Sequence, residues 1–320
     1  MDLITGGTGF IGSTLAKALL DEGKEIGTFD IKTTHPALEP YGKRWTHYTG
    51  NLGNMGEVLT AIQACRPRTL FNLGGMLSIP SEHNPQASFS TNVAGTYHVL
   101  EGARLFGVEQ VIFASTNGTY SHDLEGLTVI DDRTLQRPFT MYGCGKVYGE
   151  LLVRYYHRRY GIDFRSVRLP AIVGPGAKTK NVSIYNAWAI EKAFLGEPYE
   201  IFVTPETAAP ILYFKDAARA FLDLSRAPAG RIKTMNYNLA GIQPMPTAMD
   251  LKNAVLHFLP QAKISFNPDD LAMAFQKMHQ NVRWDETPAR NEWNWKIQYD
   301  LEKMVEDFIK ELREHPSWYH

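Results

Sequence analysis

The stretch Thr5-Gly6-Gly7-Thr8-Gly9-Phe10-Ile11-Gly12 decides the fold of this chain. It follows the short apolar run Leu3-Ile4 and precedes the amphipathic segment 15–20, so it predicts a strand, a glycine turn and a helix. In that arrangement, backbone N–H groups and the positive end of the helix dipole converge on one place, which suits a pyrophosphate. Gly6 would let the chain turn, Gly9 would let the backbone approach the phosphates, and Gly12 would let the helix pack on its strand.

A carboxylate follows this motif at the end of a second apolar run, Glu25 to Asp30. Asp30 lies roughly 20 residues beyond the glycines, where an acidic side chain would bind the adenosine ribose hydroxyls and repel a 2′-phosphate. The cofactor is therefore expected to be NAD rather than NADP. The alternative is an ordinary glycine turn beside a surface aspartate, and the strand, turn and helix context disfavours it.

Composition excludes several classes of function. The formal net charge of the 320 residues is −1, so there is no basic excess for nucleic acid or an anionic membrane surface. No apolar run approaches the roughly 18 residues of a membrane span, and no charged-then-apolar leader precedes the first strand, so a cytoplasmic protein is expected. The two cysteines, Cys65 and Cys144, are too few for a disulfide framework, and Cys144 is predicted to be a small buried thiol on a helix. No metal site is predicted.

Short apolar runs alternate with longer amphipathic stretches through the first half of the chain, which predicts parallel strands joined by crossover helices. The fold class is therefore α/β, with a Rossmann-type doubly wound parallel sheet. Strands are expected near Asp2 to Thr5, Glu25 to Asp30, Thr46 to Thr49, Thr69 to Leu73, Gln110 to Ala114 and Asp163 to Arg168. Helices are expected near Phe10 to Glu22, Gly53 to Ala64, Pro85 to Phe106 and Met141 to Tyr160.

Ligands of a doubly wound sheet bind outside the carboxyl ends of its strands, so residues after each strand are candidates. Asn51 and Leu52 follow the third strand and could meet the edge and the face of an adenine. Leu73 and Gly74 follow the fourth strand, where small residues would let the backbone lie along the dinucleotide. Ser115 and Thr116 follow the fifth. The predicted cofactor-binding residues are Gly6, Gly9, Phe10, Ile11, Asp30, Asn51, Leu52, Leu73, Gly74, Asn92, Tyr142, Lys146, Pro170 and Ile172.

Tyr142 and Lys146 are four residues apart at the start of a predicted helix, so their side chains share one face. A phenol is a poor base at neutral pH, but a nearby ammonium and an oxidised nicotinamide would lower its pKa. Tyr142 could then accept the proton of a substrate hydroxyl, with Thr116 holding the substrate oxygen and Lys146 also binding the nicotinamide ribose. Asn92 would brace this region from behind. The same spacing recurs at Tyr299 and Lys303, far from any strand end, where an exposed pair is expected.

These residues together resemble the extended short-chain dehydrogenase/reductase family, also called the NAD-dependent epimerase/dehydratase family. The resemblance rests on the motifs at Thr5 to Gly12, Asp30, Asn92, Ser115-Thr116, Tyr142 to Lys146 and Arg168 to Pro175. It covers essentially the whole chain and implies an NAD-dependent enzyme with Thr116, Tyr142 and Lys146 as its catalytic residues. Asn51 stands where the family commonly has an aspartate near the adenine. A non-catalytic NAD-sensing module is disfavoured, because it would not need all three of those residues.

Within this family, four segments are most similar to the short-chain type of L-threonine 3-dehydrogenase: Leu77 to Pro85, Gln136 to Gly143, Pro205 to Ala217 and Asp285 to Met304. The resemblance implies oxidation of L-threonine to 2-amino-3-oxobutyrate, with Ser78, Thr116 and Tyr142 at the substrate. The alternative is a nucleotide-sugar (UDP-sugar) epimerase or dehydratase with tightly bound NAD.

Charged residues help to distinguish a small amino-acid substrate from a nucleotide sugar. A diphosphate substrate would need cationic partners, and the segment from Thr207 to Leu212 has no arginine, although Arg283 or Arg290 could supply one. Conversely, the loop containing Lys178 and Lys180 would suit a carboxylate or phosphate if those lysines face the pocket.

The second half of the chain mixes short strand-like runs with helices. It is expected to form a smaller mixed α/β substrate domain over residues 176–320, closing over an NAD-binding domain of residues 1–175, although some of its segments could return to the sheet. The helices Pro85 to Phe106 and Met141 to Tyr160 carry apolar and aromatic residues, including Tyr148 and Tyr155. In the family such a pair commonly forms a four-helix dimer interface, so a homodimer is expected, although core packing explains the same residues.

Overall fold

The fold is built on a seven-stranded sheet in which every strand pair is parallel. The computed structural model describes residues 1–120, 127–178, 182–276 and 282–319. In chain order its strands are β1 (Asp2–Thr5), β2 (Ile26–Asp30), β3 (Trp45–Thr49), β4 (Thr69–Asn72), β5 (Gln110–Thr116), β6 (Val129–Ile130), β7 (Asp163–Leu169), β8 (Ala171–Val173), β9 (Tyr199–Ile201), β10 (Ile211–Tyr213), β11 (Asn236–Asn238), β12 (Ile264–Phe266) and β13 (Arg283–Trp284). The main sheet has the order β11-β7-β5-β4-β1-β2-β3.

The helices in chain order are α1 (Phe10–Asp21), α2 (Met55–Cys65), α3 (Ser78–His83), α4 (Pro85–Ser88), α5 (Gly95–Leu105), α6 (Met141–Tyr160), α7 (Tyr185–Phe194), α8 (Phe214–Arg226), α9 (Ala248–Phe258), α10 (Asp270–Gln276), α11 (Thr287–Trp293), α12 (Leu301–Glu314) and α13 (Pro316–Tyr319). The single helix expected from Pro85 to Phe106 is divided, because a π-helical segment, Phe89–Ala94, joins α4 to α5. The α2 helix begins later than expected, since the side chain of Asn54 caps it by accepting from the Glu57 N–H.

The strand order reverses between β1 and β4, and this reversal positions the site. From β1 the chain adds β2 and β3 on one side, then returns to place β4, β5, β7 and β11 on the other. Connections after β1 and β4 therefore diverge to opposite faces of the sheet and leave a crevice at the carboxyl ends of the two strands. The predicted doubly wound α/β fold is confirmed.

Helices cover both faces of this sheet, so its central strands are buried. On one face, α1 and α8 pack around buried residues that include Leu15, Leu19 and Phe221. On the other face, α2, α5 and α6 pack around a second cluster that includes Val58 and Val153. This double cover explains why the central strands β1, β4 and β5 contain continuous apolar runs rather than alternating ones.

Three two-stranded parallel pairs lie outside the main sheet: β12 with β9 within the second half, and β10 with β8 and β13 with β6, which join the second half to the first. A third buried cluster around Ile190, Tyr213 and Phe308 joins α7, α9 and α12. One segment of the second half, β11, lies in the main sheet beside β7. Among the described residues, no helix has the length and apolar character that a bilayer span requires.

Candidate functional site

A glycine cradle lies in the crevice between β1 and β4. Gly6 has a φ of +68°, and a Cβ atom on it would lie 2.7 Å from the Cα of Gly74. A Cβ on Gly12 would lie 2.0 Å from the Gly6 carbonyl oxygen, and one on Gly74 would lie 2.7 Å from the Leu52 side chain. A larger residue at any of these positions would collide with neighbouring atoms of the protein, so the close approach of turn, helix and strand depends on glycine. Such a turn is typical of dinucleotide-binding sites.

The start of α1 points into this cradle. Gly9 occupies the N-cap position, and within the described structure neither a side-chain cap nor an acidic first-turn residue satisfies the first N–H groups of α1. The turn itself is held by a hydrogen bond from the Gly9 N–H to the Gly6 carbonyl, 3.0 Å. Backbone donors at a helix N-terminus, together with the helix dipole, make a binding site for an anion.

Asp30 lies beside the same turn, at the end of β2. Its Oδ2 accepts a hydrogen bond from the Thr8 N–H at 3.2 Å, and its Oδ1 accepts one from the Lys32 N–H at 3.3 Å. These contacts orient the carboxylate toward the glycine turn, within 4.0 Å of where a Gly9 Cβ would be. Its remaining lone pairs could accept hydrogen bonds from ribose hydroxyls.

A single cleft of about 1950 Å³ connects the cradle to the predicted catalytic residues. The predicted cofactor and substrate residues that line it are Gly6, Gly9, Phe10, Ile11, Asp30, Asn51, Leu52, Leu73, Gly74, Ser78, Thr116, Tyr142, Lys146, Pro170 and Ile172. The sequence had placed Asn51, Leu73 and Thr116 among the residues at successive strand ends, and the fold brings all of these residues to one cleft.

Asn92 was also predicted to bind the cofactor, and it does not line the cleft. It is buried in the π-helical segment, where its Oδ1 accepts from the Met76 N–H at 2.8 Å and its Nδ2 donates to the Met76 carbonyl at 2.9 Å. Asn92 therefore holds the loop that follows β4 in place, and that loop, rather than Asn92 itself, would contact a dinucleotide.

Tyr142 and Lys146 lie one turn apart in the first two turns of α6, which the Thr140 side chain caps. The Lys146 Nζ donates to the Ala114 carbonyl at 2.7 Å and lies 5.7 Å from the centre of the Tyr142 ring. Thr116 ends β5, where its hydroxyl accepts a hydrogen bond from the Gly118 N–H at 3.1 Å and lies close enough to the Tyr142 phenol to influence its pKa. The three predicted catalytic side chains thus lie together at the carboxyl end of β5.

Burial dominates the electrostatics of this group. It raises the pKa of Tyr142 to about 12, against the opposing effect of the Thr116 hydroxyl. It also lowers the pKa of Lys146 to about 8, against the opposing charge of Glu150. The sequence suggested that Lys146 lowers the pKa of Tyr142, but Lys146 is not among the groups that shift this pKa in the cofactor-free protein. The reason is geometric, because the ammonium bonds the Ala114 carbonyl and faces the tyrosine ring rather than its oxygen.

Sequence reasoning missed two groups at this site. Glu82 on α3 lines the cleft and accepts a hydrogen bond from the Met141 N–H at 2.7 Å, which anchors α3 to the residue before Tyr142. Glu150 and Arg168 form an ion pair of 2.6 Å behind Lys146, and both side chains are at least 97% buried. Glu150 could have been noticed, because it lies one helical turn beyond Lys146 on the same face.

The opposite wall of the cleft comes from the second half of the chain. It includes Lys178, Lys215 and Arg219, together with residues of the last segment, His315, Ser317, Trp318 and Tyr319. Lys215 is paired with Asp307 and Glu311, and Arg219 with Asp216 and Asp223. Lys178 has no carboxylate partner among the described residues, whereas Thr179 and Lys180 of the same predicted loop lie outside them.

Arg283 and Arg290, which were considered as diphosphate ligands, lie elsewhere. Arg283 pairs with Asp285, Arg290 pairs with Glu286, and neither lines the cleft. Among the described residues there is also no group of three or more His, Cys, Asp or Glu side chains placed to bind a metal ion.

Two smaller expectations concern side chains near this motif and its repeat. Cys144 is exposed rather than buried. Its position, two residues from both Tyr142 and Lys146, puts it on the opposite face of α6 from those side chains. At the repeated spacing, Tyr299 packs against Tyr213, while the exposed Lys303 pairs with Asp300. Neither Tyr299 nor Lys303 lines the cleft.

Comparison with known proteins gives consistent similarities. The model of the NAD dependent epimerase/dehydratase family matches residues 3–240. Mitochondrial L-threonine 3-dehydrogenase of Sus scrofa is 30% identical over 309 residues, covering 95% of this chain and 80% of that protein. The holo form of a GalE-like L-threonine dehydrogenase from Cupriavidus necator is 31% identical with a TM-score of 0.84, covering 96% of this chain and 98% of that one. A monomeric L-threonine 3-dehydrogenase from a metagenome, in its apo form, is 25% identical with a TM-score of 0.85, covering 98% and 99%. These findings confirm the family resemblance, and the chain belongs to the NAD-dependent epimerase/dehydratase family.

Proposed function

We propose that this protein is a dehydrogenase that uses NAD to oxidise a secondary hydroxyl of a small hydroxy-amino acid. L-threonine, oxidised to 2-amino-3-oxobutyrate, is the first candidate substrate. The observation that supports the proposal most is the grouping of Thr116, Tyr142 and Lys146 on the wall of the cleft that also contains the glycine cradle. The similarity to proteins described as L-threonine dehydrogenases supports the choice of substrate.

The proposed cofactor is NAD rather than NADP. The glycine cradle and the start of α1 would bind the pyrophosphate, and Asp30 would bind the adenosine ribose. A carboxylate at this position repels a 2′-phosphate. Leu52, Leu73 and Gly74 would lie along the dinucleotide, and Lys146 would bind the ribose of the nicotinamide. When bound, NAD would supply the hydride acceptor.

Tyr142 is proposed as the general base. Because burial keeps its phenol protonated at neutral pH, the phenolate needs further positive charge, and Lys146 and an oxidised nicotinamide would both provide it. Thr116 would hold the substrate oxygen next to the Tyr142 oxygen, so that the proton moves directly between them. The wall formed by residues 315–319 would limit the access of water.

The charges along the cleft favour a small substrate. Lys215 and Arg219 are already paired with carboxylates, so neither is available to a diphosphate without the loss of an ion pair. Lys178 would suit the carboxylate of a hydroxy acid, and Ser78 would add a hydroxyl on the opposite wall. The acidic group Glu82, on the same helix as Ser78, would suit an ammonium.

The second candidate function is that of a nucleotide-sugar epimerase or dehydratase with tightly bound NAD. The size of the cleft favours it, because about 1950 Å³ exceeds the roughly 300–1,000 Å³ of most small-ligand sites. A bound dinucleotide would occupy a large part of that volume, so the small hydroxy-amino acid is kept as the preferred substrate.

The test is a substrate panel of L-threonine, 3-hydroxy acids and UDP-sugars, followed by NADH absorbance and by release of epimers. NADH that accumulates with L-threonine supports the first candidate, whereas epimer release without net NADH supports the second. Tyr142→Phe is expected to lower turnover by about 10²- to 10⁴-fold while NAD still binds. Tyr148→Phe, an exposed tyrosine on the same helix, is the matched control and should be fully active. Unchanged turnover in Tyr142→Phe would refute the assignment of the base.

The domain organisation and association remain proposals as well. Residues 1–175 would bind NAD and residues 176–320 would bind the substrate, with β11 returned to the sheet. A homodimer is proposed through α5 and α6, on which Leu105, Leu151 and Tyr155 are exposed. One similar solved structure is described as monomeric, so the dimer is a proposal for this chain alone. A cytoplasmic location is also proposed, whereas one relative is described as mitochondrial.

A further inference from the structure

A buried polar network lies directly behind the proposed catalytic residues. Its centre is the Glu150 carboxylate, which accepts five hydrogen bonds from described side chains. Arg168 donates two of them, from Nε at 2.8 Å and from Nη2 at 2.6 Å, in a bidentate arrangement. Ser115, Gln136 and Asn236 donate the others, at 2.5, 3.1 and 3.0 Å. The network therefore ties α6 to β5 and β7 near their carboxyl ends and to the first residue of β11.

Lys146 stands between this network and the cleft. Its side chain is 5% exposed, and its Nζ contacts the Ala114 carbonyl and the rings of Phe113 and Tyr142. From the loop after β4, Gly75 comes close to it: a Cβ on Gly75 would lie 3.7 Å from the Lys146 Nζ and 3.0 Å from the Oδ1 of the neutral Asn92. Among the described residues no carboxylate pairs with it directly, and Glu150, one turn along α6, is the acid whose charge acts on it.

We propose that Glu150 is a positioning residue for the proposed catalytic lysine: held by Arg168 and Ser115, it supplies the negative charge that keeps the buried Lys146 as an ammonium and fixes that part of α6 against β5. This inference rests on the proposed role of Lys146 in catalysis. It assigns a function to a buried ion pair that makes no contact with the cleft.

The physical argument concerns the cost of a buried cation. Transfer of an ammonium out of water disfavours its charge, and burial accordingly lowers the Lys146 pKa to about 8. A neutral amine would provide no charge to a tyrosine phenolate. A carboxylate next to Tyr142 itself would oppose formation of that phenolate, since like charges repel. Two helical turns separate Glu150 from Tyr142, so Glu150 acts on the lysine with less effect on the phenol.

The experiment is a pH titration of Lys146 in the cofactor-free protein, followed by NMR with lysine labelled with ¹³C at Cε. The Lys146 signal is identified as the one absent from Lys146→Met. In the wild type it should titrate near pH 8. In Glu150→Gln, which keeps the shape and removes the charge, the midpoint should fall by about 1 pH unit. Glu150→Asp retains the negative charge, so its Lys146 midpoint should lie close to that of the wild type.

The matched control is Glu286→Gln. Glu286 is also buried, paired with an arginine and bonded to the backbone N–H of Ala240, but it does not contact the network of Glu150. Substitution of Glu286 should leave the Lys146 midpoint unchanged. A shift in this control would show that the loss of any buried ion pair disturbs the fold enough to change the titration of Lys146. Should Glu150→Gln fail to fold, the double variant E150Q/R168M also removes the arginine that would be left unpaired. Its midpoint should still fall, because Glu150 rather than Arg168 is the charge that raises the Lys146 pKa.

An unchanged midpoint in whichever of these two variants folds would overturn the inference. Because the titration needs neither cofactor nor substrate, its outcome is separate from that of the substrate panel. If Tyr142→Phe abolishes turnover while Glu150→Gln leaves the midpoint unchanged, only the role of Glu150 fails. If no substrate on the panel is oxidised but the midpoint shifts, the link between Glu150 and Lys146 stands and the proposed reaction fails.

Discussion

Gly12→Ala is the substitution whose effect follows most directly from the geometry of the cradle. Gly12 is the third residue of α1, and its backbone lies against the turn at Gly6. A Cβ here would lie 2.0 Å from the Gly6 carbonyl oxygen and 2.8 Å from the carbonyl carbon. These are backbone atoms, so no side-chain rotation relieves the contact. The turn and the helix would have to move apart by about 1.5 Å to reach ordinary van der Waals separation.

Two effects of opposite sign set the change in stability. Alanine favours a helix over glycine by up to about 1 kcal/mol, whereas overpacking of a close contact costs about 1–3 kcal/mol. A net loss of about 1–2 kcal/mol in the free energy of unfolding is expected. The effect on NAD affinity should be larger, since displaced N–H groups lose hydrogen bonds to a charged ligand, worth about 1.5–3 kcal/mol each. Loss of one such bond weakens binding by about 10- to 100-fold.

The assays are urea unfolding and a fluorescence titration with NAD. Gly56→Ala is the matched control, because Gly56 lies in the first turn of α2 and a Cβ there would meet the Asn54 side chain at an ordinary 3.4 Å. This control should bind NAD normally and be unchanged or more stable by up to about 1 kcal/mol. The reasoning about the cradle is refuted if Gly12→Ala binds NAD as tightly as Gly56→Ala does.

Three further predictions concern charge and association. Asp30→Asn, which removes the negative charge beside the glycine turn, should weaken NAD binding by about tenfold. It should also reduce the difference in affinity between NAD and NADP, which equilibrium titrations with the two cofactors would measure. Lys146→Met should raise the free energy of unfolding at pH 7 by about 1–3 kcal/mol, because a pKa lowered from 10.5 to about 8 means that the folded state carries a buried charge below pH 8. The unfolded state binds more protons between those values, so wild-type stability should rise with pH there, and urea titrations at pH 7 and pH 10 should show the advantage of the variant disappear. Leu151→Glu, at a side chain that is 61% exposed, should convert the proposed dimer to a monomer in sedimentation experiments without a change in fold; a wild type that sediments as a monomer would contradict the prediction.

The first half of the fold was predictable because its signals are local. The glycine turn, the apolar runs and the periodicity of the helices each involve neighbours in sequence, and parallel strands place their carboxyl ends on one edge. The predicted strand ends at Asn51, Gly74 and Thr116 accordingly lie in one cleft. The division of the helix after Pro85 was not predictable, because the π-helical segment contains a buried asparagine bonded to a distant loop.

Other parts of the site depend on contacts between distant segments. The wall formed by residues 315–319 follows from the packing of α12 on α7 and α9, which no local pattern specifies. The pairing of Lys215 with Asp307 and Glu311 likewise joins α8 to α12. Arg219, by contrast, pairs with Asp216 and Asp223 at helical spacings within α8, which the sequence itself contains. These pairings change a functional argument, because both cations line the cleft but are already neutralised.

Lys146 illustrates how a site can be recognised by the stability it gives up. A chain selected for stability alone would favour an apolar residue at a position that is 5% exposed, because a lysine there loses its hydration and bonds one carbonyl in return. The Glu150–Arg168 pair adds two more buried charges, whose replacement by apolar residues is often neutral or stabilising. Local choices that conflict with stability are expected where function requires them. Lys146 and Glu150 lie one turn apart on α6, and Arg168 of β7 pairs with Glu150, so the same helix that would position the proposed base also carries two buried charges that cost stability.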